Sequence, residues 1–230
     1  MKAMIFAAGL GTRLRPLTND KPKALVEYKG QPLLWHVISN LKKYGFNDII
    51  INIHHFGDQI IDYLEKTDFP GVEIEISDER KELLDTGGGL YKARKFFDNE
   101  PFLVHNVDII TDLNLKKLYK FHQEHEPIAS LAVRNNPSSR ALLFSPNNIL
   151  SGWKHLKTGE TKISRQFPTY IQKAFSGIQI ISPDIFNYMK PGRYSIIDTY
   201  LETAKHEIIR GLDHSGGQWK DMGKPESFKE

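Results

Sequence analysis

Gly9-Leu10-Gly11-Thr12-Arg13-Leu14-Arg15-Pro16 concentrates the residue types that bind phosphate. Glycines without a Cβ let backbone N–H groups come close to an anion. Thr12 adds a hydroxyl. Arg13 and Arg15 add planar guanidinium forks that donate paired hydrogen bonds to phosphate oxygens. Lys23 lies beyond Pro16 and Pro22, which restrict the loop and aim a compact ammonium back at the same anion. Spacing argues against two other phosphate loops. A dinucleotide fingerprint needs glycine where Leu14 stands, and a P-loop needs a Gly-Lys-Ser/Thr that does not follow. The bland alternative is a surface loop that merely turns the chain. The apolar strand before it, the two arginines and the Pro22-Lys23 pair weigh against that.

Carboxylates offer the second chemistry. Asp108 follows an apolar run, and Asp221 lies between Trp219 and Gly223. Mg2+ takes hard oxygen ligands, commonly one or two carboxylates with substrate phosphates and water. Taken singly, each aspartate reads first as a turn former, and spacing alone does not pair them. Asp112, within Thr111-Asp112-Leu113-Asn114, reads as the cap of the next helix. His54 and His55 are adjacent on an extended segment, so they point to opposite faces and do not share an ion. His54 is expected to pack at the edge of a site. Trp153 and Trp219 read as packing residues rather than base-stacking platforms.

These groups must be positioned by strands and helices that the hydrophobic pattern outlines. A short apolar run at 3–8 reads as a buried strand that stops at Gly9. Gln31 and Pro32 open a helix to about Tyr44, with Leu33, Leu34, Val37, Ile38 and Leu41 at helical spacing. Further elements follow in order: strand 48–53, helix 57–66, strand 72–76, a glycine loop 85–89, helix 90–97, and strand 101–104 leading to Asn106-Val107-Asp108. Such alternation predicts an α/β fold with a Rossmann-like, mostly parallel central sheet flanked by helices. Ligands then sit at the carboxyl ends of the strands. The second half differs. After a strand at 128–133, turn dipeptides (Pro137-Ser138, Pro146-Asn147, Thr158-Gly159) punctuate short apolar stretches over 140–181 and predict a small β-hairpin lid. A helix at 196–205, a strand at 207–212 and the segment Trp219 to Gly223 after a Gly216-Gly217 break complete the reading. The whole chain, 1–230, is expected to form one domain, with a first half to about residue 125 and a second half carrying the lid beyond it.

Composition bounds the function. With 31 basic and 28 acidic residues the net charge is +3, too even for general nucleic-acid binding. Cysteine is absent, so there is no thiolate nucleophile and no Cys-based zinc site. The N-terminal apolar run is too short for a signal peptide, and no run nears the ~18 residues of a membrane span. The expectation is a cytoplasmic enzyme with neither nucleic-acid nor membrane partners. The sequence leaves the oligomeric state open.

The segment from Gly9 to Thr18, followed by Lys21-Pro22-Lys23-Ala24-Leu25-Val26, resembles the opening of the sugar-1-phosphate nucleotidyltransferases nearly position for position. The resemblance continues in order along the chain. Asp85-Thr86-Gly87-Gly88-Gly89 is similar to the family's base-reading glycine loop, and Asn106-Val107-Asp108 to its metal motif. Phe175-Ser176-Gly177-Ile178 is similar to its sugar-side motif, and Trp219-Lys220-Asp221-Met222-Gly223 to its second metal motif. Two departures stand out: Val107 where glycine is common, and Lys224 where threonine often follows Gly223.

The resemblance implies the nucleotide-diphospho-sugar transferase fold. It implies a reaction in which a nucleoside monophosphate passes from an NTP to a sugar 1-phosphate, releasing pyrophosphate. Arg13 and Lys23 are the implied catalytic cations. Ala8, Gly9, Gly11, Thr12, Arg13, Lys23, Thr86, Gly87 and Gly88 are the implied nucleotide contacts. Asn106, Ser176 and Gly177 are candidates for the sugar. Arg140 either holds the sugar phosphate or stands as a solvated hairpin charge. Asp108 and Asp221 are the implied Mg2+ ligands. The triple glycine and the short chain most resemble the N-acetylmuramate-1-phosphate uridylyltransferases of cell-wall recycling. Mannose- or heptose-1-phosphate guanylyltransferases are the near alternatives. A silent sensor of nucleotide sugars is the alternative of another class, and Lys23, Asp108 and Asp221 together argue against it. The family's frequent C-terminal β-helix of hexapeptide repeats has no counterpart in this sequence.

Overall fold

Strand β1 (Lys2–Phe6) splits its side chains between two apolar layers. Ala3 and Ile5 face one layer and Met4 and Phe6 the other. This is the period-2 signature of a strand covered on both faces. The computed structural model describes residues 1–135, 137 and 139–228. Of the Pro137-Ser138 turn, Ser138 lies outside the described residues.

After β1 come β2 (Glu27–Tyr28), β3 (Gln31–Pro32), α1 (Leu33–Lys43), β4 (Asp48–Ile53), α2 (Gly57–Lys66), β5 (Glu73–Asp78) and α3 (Asp85–Lys92). They are followed by β6 (Phe102–Asn106), β7 (Ile109–Thr111), α4 (Leu115–His125), β8 (Ala129–Arg134), β9 (Arg140–Phe144), β10 (Leu150–His155) and β11 (Thr161–Ile163). The chain closes with β12 (Ile171–Ile181), α5 (Ile196–Thr203), β13 (Ile209–Asp213) and β14 (Trp219–Asp221).

Among the described residues the main sheet runs β11-β10-β9-β12-β6-β1-β4-β5, with β8 branching from β12 and β13 from β8. Pairs β1–β4, β1–β6, β4–β5 and β8–β13 are parallel. Every pair made by β12 is antiparallel, as are β9–β10 and β10–β11. The sheet is therefore mixed: parallel through the first half, antiparallel where the hairpins join it. α1, α2 and α4 cover one face through Val37, Ile60 and Leu118. α3 and α5 cover the other through Leu90, Ile196 and Tyr200. The predicted lid exists as β9–β11, but it extends the same sheet through β12 rather than lying apart from it.

Local departures from the sequence reading have identifiable causes. Gln31 and Pro32 do not begin the helix. They pair with Glu27 and Tyr28 across a turn in which Lys29 and Gly30 both have positive φ, and α1 starts at Leu33. The cap of α4 is Asn114, whose side chain accepts from the Lys117 N–H, not Asp112. Asp112 instead accepts the Gln218 N–H at 2.9 Å. The largest correction concerns 85–89, which is the first part of helix α3 rather than a loop.

β12 holds the sheet together, and Ile180 is fully buried near its carboxyl end between Leu103 and Ser130. Ile180→Ala is expected to cost about 2–5 kcal/mol of stability. Urea unfolding should show a lower midpoint with an unchanged slope.

Candidate active site

Two cavities are candidates, the first at the carboxyl ends of β1 and β4 and the second among β9, β10, β12, α5 and β14. The first, of about 550 Å3, is walled by Ala8, Gly9, Gly11, Thr12, Arg13, Lys23, Asn52, Leu83, Asp85, Thr86, Arg193 and Gly223. The second, of about 380 Å3, is walled by Arg140, Trp153, Lys162, Phe175, Asp198, Trp219 and Asp221, among others. Asp221 borders the second cavity, and Gly223, two residues on, borders the first.

The loop after β1 wraps the first cavity. Gly11 takes φ +65, and a Cβ there would stand 3.1 Å from the Thr18 methyl. Thr18 donates from its hydroxyl to the Gly11 carbonyl at 2.8 Å, and the Leu14 N–H reaches the same carbonyl at 2.9 Å. These bonds fold the loop into a tight arch and leave Gly9, Leu10, Thr12 and Arg13 at the surface of the cavity. Arg15 is exposed and lies outside the cavity wall.

Gly223 marks where the charged groups meet. An ideal Cβ on it would stand 2.8 Å from Asp221 Oδ1, 3.0 Å from Asp108 Oδ2 and 3.1 Å from Arg13 Nη2. The two carboxylate oxygens are thus no further apart than the first two lengths laid end to end. Lys23 Nζ donates to Asp108 Oδ2 at 2.7 Å, with both side chains mostly buried. The backbone makes this meeting possible. β14 pairs antiparallel with β7, setting Asp221 opposite Ile109, and the Met222 N–H donates to the Asp108 carbonyl at 2.8 Å. The Gly223 N–H then donates to Asp221 Oδ1 at 2.8 Å and fixes that carboxylate. Neither sequence departure intrudes. Val107 is fully buried in the apolar core, and Lys224 is exposed.

This donor set suits a hard divalent cation. Two carboxylates converge, and the Lys23 ammonium already stands against one of them as a cation. Among the described residues no group of three or more His, Cys, Asp or Glu forms a metal cluster, so phosphate and water would complete a shell of the Mg2+ type.

Other predicted residues fall as follows. Asn106 and Gly177 are together: a Cβ on Gly177, at φ +76, would stand 2.8 Å from Asn106 Nδ2. Ser176 is buried and already engaged. Its hydroxyl bonds with His214 Nε2 at 2.7 Å, and its carbonyl accepts from Trp219 Nε1 at 3.0 Å. Burial and the nearby Arg134 guanidinium push the His214 imidazole down. Trp153 and Trp219 line the second cavity, not the first. Gly87 and Gly88 are buried under the 192–196 segment instead of lining the first cavity. A Cβ on Gly87 would collide with the Tyr194 ring at 2.4 Å, and one on Gly88 with the Gly192 carbonyl at 1.9 Å. The Gly87 N–H is spent on the Tyr194 carbonyl at 2.9 Å. Thr86 does line the first cavity, and its hydroxyl accepts from the Ile196 N–H at 2.9 Å. His54 donates through Nδ1 to the Glu79 carbonyl, 2.7 Å away, and lines neither cavity.

Sequence reasoning missed Asn52, Leu83 and Arg193 in the first cavity and Lys162 and Asp198 in the second. A signal existed for Asn52, the lone polar residue within the apolar run Ile49–Ile53. None existed for Lys162.

Comparison with known proteins agrees with this geometry. Residues 2–141 match the family model described as nucleotidyl transferase. The N-acetylmuramate alpha-1-phosphate uridylyltransferase of Caulobacter vibrioides is 44% identical over 234 residues, covering 98% of this chain and 93% of that protein. That of Neisseria meningitidis is 33% identical, covering 100% and 96%. A mannose-1-phosphate guanyltransferase of Aspergillus oryzae is 31% identical over 99% of this chain, which spans 62% of that protein's length. HddC from Yersinia pseudotuberculosis, solved in complex with GMP-PN, superposes with a TM-score of 0.80 at 22% identity, covering 99% of this chain and 96% of that one. At that identity it speaks for the fold, which is the mixed sheet with flanking helices described above. With the family model spanning more than half its length and relatives matching from end to end, the chain belongs to the nucleotidyl transferase family.

Proposed function

We propose that the chain transfers a nucleoside monophosphate from an NTP to a sugar 1-phosphate, with UTP and N-acetylmuramate 1-phosphate as the pair. The observation that carries the reading is the meeting of Arg13, Asp108 and Asp221 at Gly223, where the two cavities adjoin. The NTP occupies the first cavity, with its triphosphate along Gly9–Arg13 and its base toward Leu83–Thr86. The sugar 1-phosphate occupies the second. Near-complete coverage of the uridylyltransferase relatives supports the choice of substrates. So does the chemistry of the second cavity, where Arg140 and Lys162 offer two cations. N-acetylmuramate 1-phosphate presents a carboxylate besides its phosphate, and two cations match two anionic groups.

In the reaction a phosphate oxygen of the sugar attacks the α-phosphorus, a new P–O bond forms, and the bond to the bridging α–β oxygen breaks. No protein nucleophile is required, since the attacking phosphate is anionic at neutral pH. Catalysis rests on positioning and on neutralising charge. Mg2+ held by Asp108 and Asp221 supplies positive charge to the phosphate oxygens when bound. Arg13 donates to the transferring phosphoryl group, and Lys23, held beside Asp108, donates to the departing pyrophosphate. Asn106 and the Gly177 backbone, which line neither cavity, are assigned to the sugar side of the junction, and Ser176 supports that wall through its bonds to His214 and Trp219. Gly87 and Gly88 act by allowing close packing of the wall that carries Thr86.

Pyrophosphate release measured with a panel of NTPs and sugar 1-phosphates tests the reading. UTP with N-acetylmuramate 1-phosphate should be the best pair. Preference for GTP with mannose or heptose 1-phosphate would replace it with the guanylyltransferase alternative, and no release with any pair would sink the enzymatic reading. Lys23→Ala and Asp221→Ala should each lower turnover by ~10²–10³ in folded protein. Gly223→Ala should lower it comparably, because its methyl group would enter the space between Asp221, Asp108 and Arg13. Circular dichroism of that variant should match the parent, since the clash is confined to side-chain tips.

A further inference from the structure

Asn52 and Glu79 are polar, almost fully buried, and placed between the two walls of the nucleotide cavity. Asn52 is 3% exposed and Glu79 1%. Asn52 Oδ1 accepts from the Ala7 N–H at 2.7 Å and from the Ala8 N–H at 3.3 Å, at the point where β1 gives way to the phosphate loop. Asn52 Nδ2 donates to Glu79 Oε1 at 2.8 Å. Glu79 Oε2 accepts from the Leu84 N–H at 3.2 Å, just before Asp85 and Thr86 on the opposite wall. Leu84 in turn accepts from the Tyr194 N–H at 3.2 Å, next to Arg193.

An unbroken chain of donors and acceptors therefore joins the two walls, with Asn52 itself bordering the cavity and Glu79 behind it. It begins at the root of the phosphate loop and ends at the segments bearing Thr86 and Arg193. Gly89 belongs to the same arrangement. A Cβ there would lie 2.7 Å from Glu79 Oε1 and 2.9 Å from Asn52 Nδ2, so the third glycine makes room for the bridge rather than for a ligand.

We infer that Asn52 and Glu79 are positioning residues that set the distance between the phosphate-binding and base-facing walls of the nucleotide cavity. Burying an amide and a carboxylate is costly unless both are fully hydrogen-bonded. Here every oxygen of the pair and the Asn52 amide have partners. Each partner belongs to a wall of the cavity, so shifting either wall leaves a buried polar atom unpaired. The inference rests on the NTP occupying this cavity, as proposed above.

The direction of the bonds makes a sharp test possible. In Glu79→Gln the new amide must face either the Asn52 amide or the Leu84 N–H, donor against donor. In Asn52→Asp two carboxylates face each other. In the double variant the polarity reverses and every bond returns: the residue-52 carboxylate accepts from Ala7, Ala8 and the residue-79 amide, and the residue-79 carbonyl accepts from Leu84.

Steady-state kinetics on the full chain give the expected pattern. Each single variant raises the KM for the NTP about tenfold or more and leaves the KM for the sugar phosphate within about twofold. The double variant returns the NTP KM to within about threefold of the parent. An unchanged NTP KM in the single variants overturns the inference. So does an equal rise in both KM values, which a merely structural role would give, or a double variant no better than the singles. If the single variants do not fold, the double variant decides. Folded with a near-parental NTP KM it supports the bridge; unfolded, or folded with a raised NTP KM, it overturns it. Calorimetric titration of UTP and of GTP into the parent separates the two levels: a parent that binds neither removes the cavity assignment itself.

Discussion

The two aspartates stand more than a hundred residues apart in sequence, and a three-residue ladder brings them together. β14 lies antiparallel to β7, directly after Asp108, and the Met222 N–H reaches the Asp108 carbonyl. Side chains reinforce the ladder where it begins. Thr111 donates its hydroxyl to the Gln218 carbonyl at 2.8 Å, and Asp112 takes the Gln218 N–H. A ladder so short has little stability of its own. It is held by what flanks it: Trp219 bonded to Ser176, and Arg134 donating to the His214 and Gly217 carbonyls while lying over the Trp219 ring. Ser176, Arg134 and Trp219 thus keep the carboxylate pair assembled.

Charge explains why the pair needs such support. Two carboxylates near one point repel, and in this structure Lys23 and Arg13 offset them. The same two cations are the groups a triphosphate would draw on. Lys23 pairs directly with Asp108 while Arg13 stands near, so a bound triphosphate would replace cationic partners the carboxylates already have. Gly223 is essential to this economy because any side chain would occupy the space in which the charges meet.

Much of this was legible in the sequence, and the exceptions are instructive. Asp48–Ile53 and Gly57–Lys66 are read to the residue because their hydrophobic periods are strong. Arg13 and Lys23 are legible because glycine and proline spacing constrains a loop whatever its tertiary context. Gly87 and Gly88 are harder to read. Glycine permits close approach, but the sequence does not say of what; in the fold their protein neighbours are the Tyr194 ring and the Gly192 carbonyl. The parallel reading of the sheet fails at β12, since strand direction is decided by partners distant in sequence. Glu79 is invisible in sequence for a related reason. Among Asp78, Arg80, Lys81 and Glu82 it reads as one more solvated charge, and only the fold turns it inward toward Asn52.

β12 carries a consequence for motion. Its 11 residues run without interruption from Ile171, beside the hairpin strand β9, to Ile181, beside β6 at the heart of the nucleotide half. Continuous, hydrogen-bonded backbone is a poor hinge, because a hinge needs a few residues free to change φ and ψ. The register shift between Phe175 and Gln179, with Gly177 at φ +76, bends the strand without cutting it. Rigid-body closure of one half on the other is therefore not the natural motion of this molecule. Any covering of the two cavities would then fall to short surface segments moving over a fixed sheet.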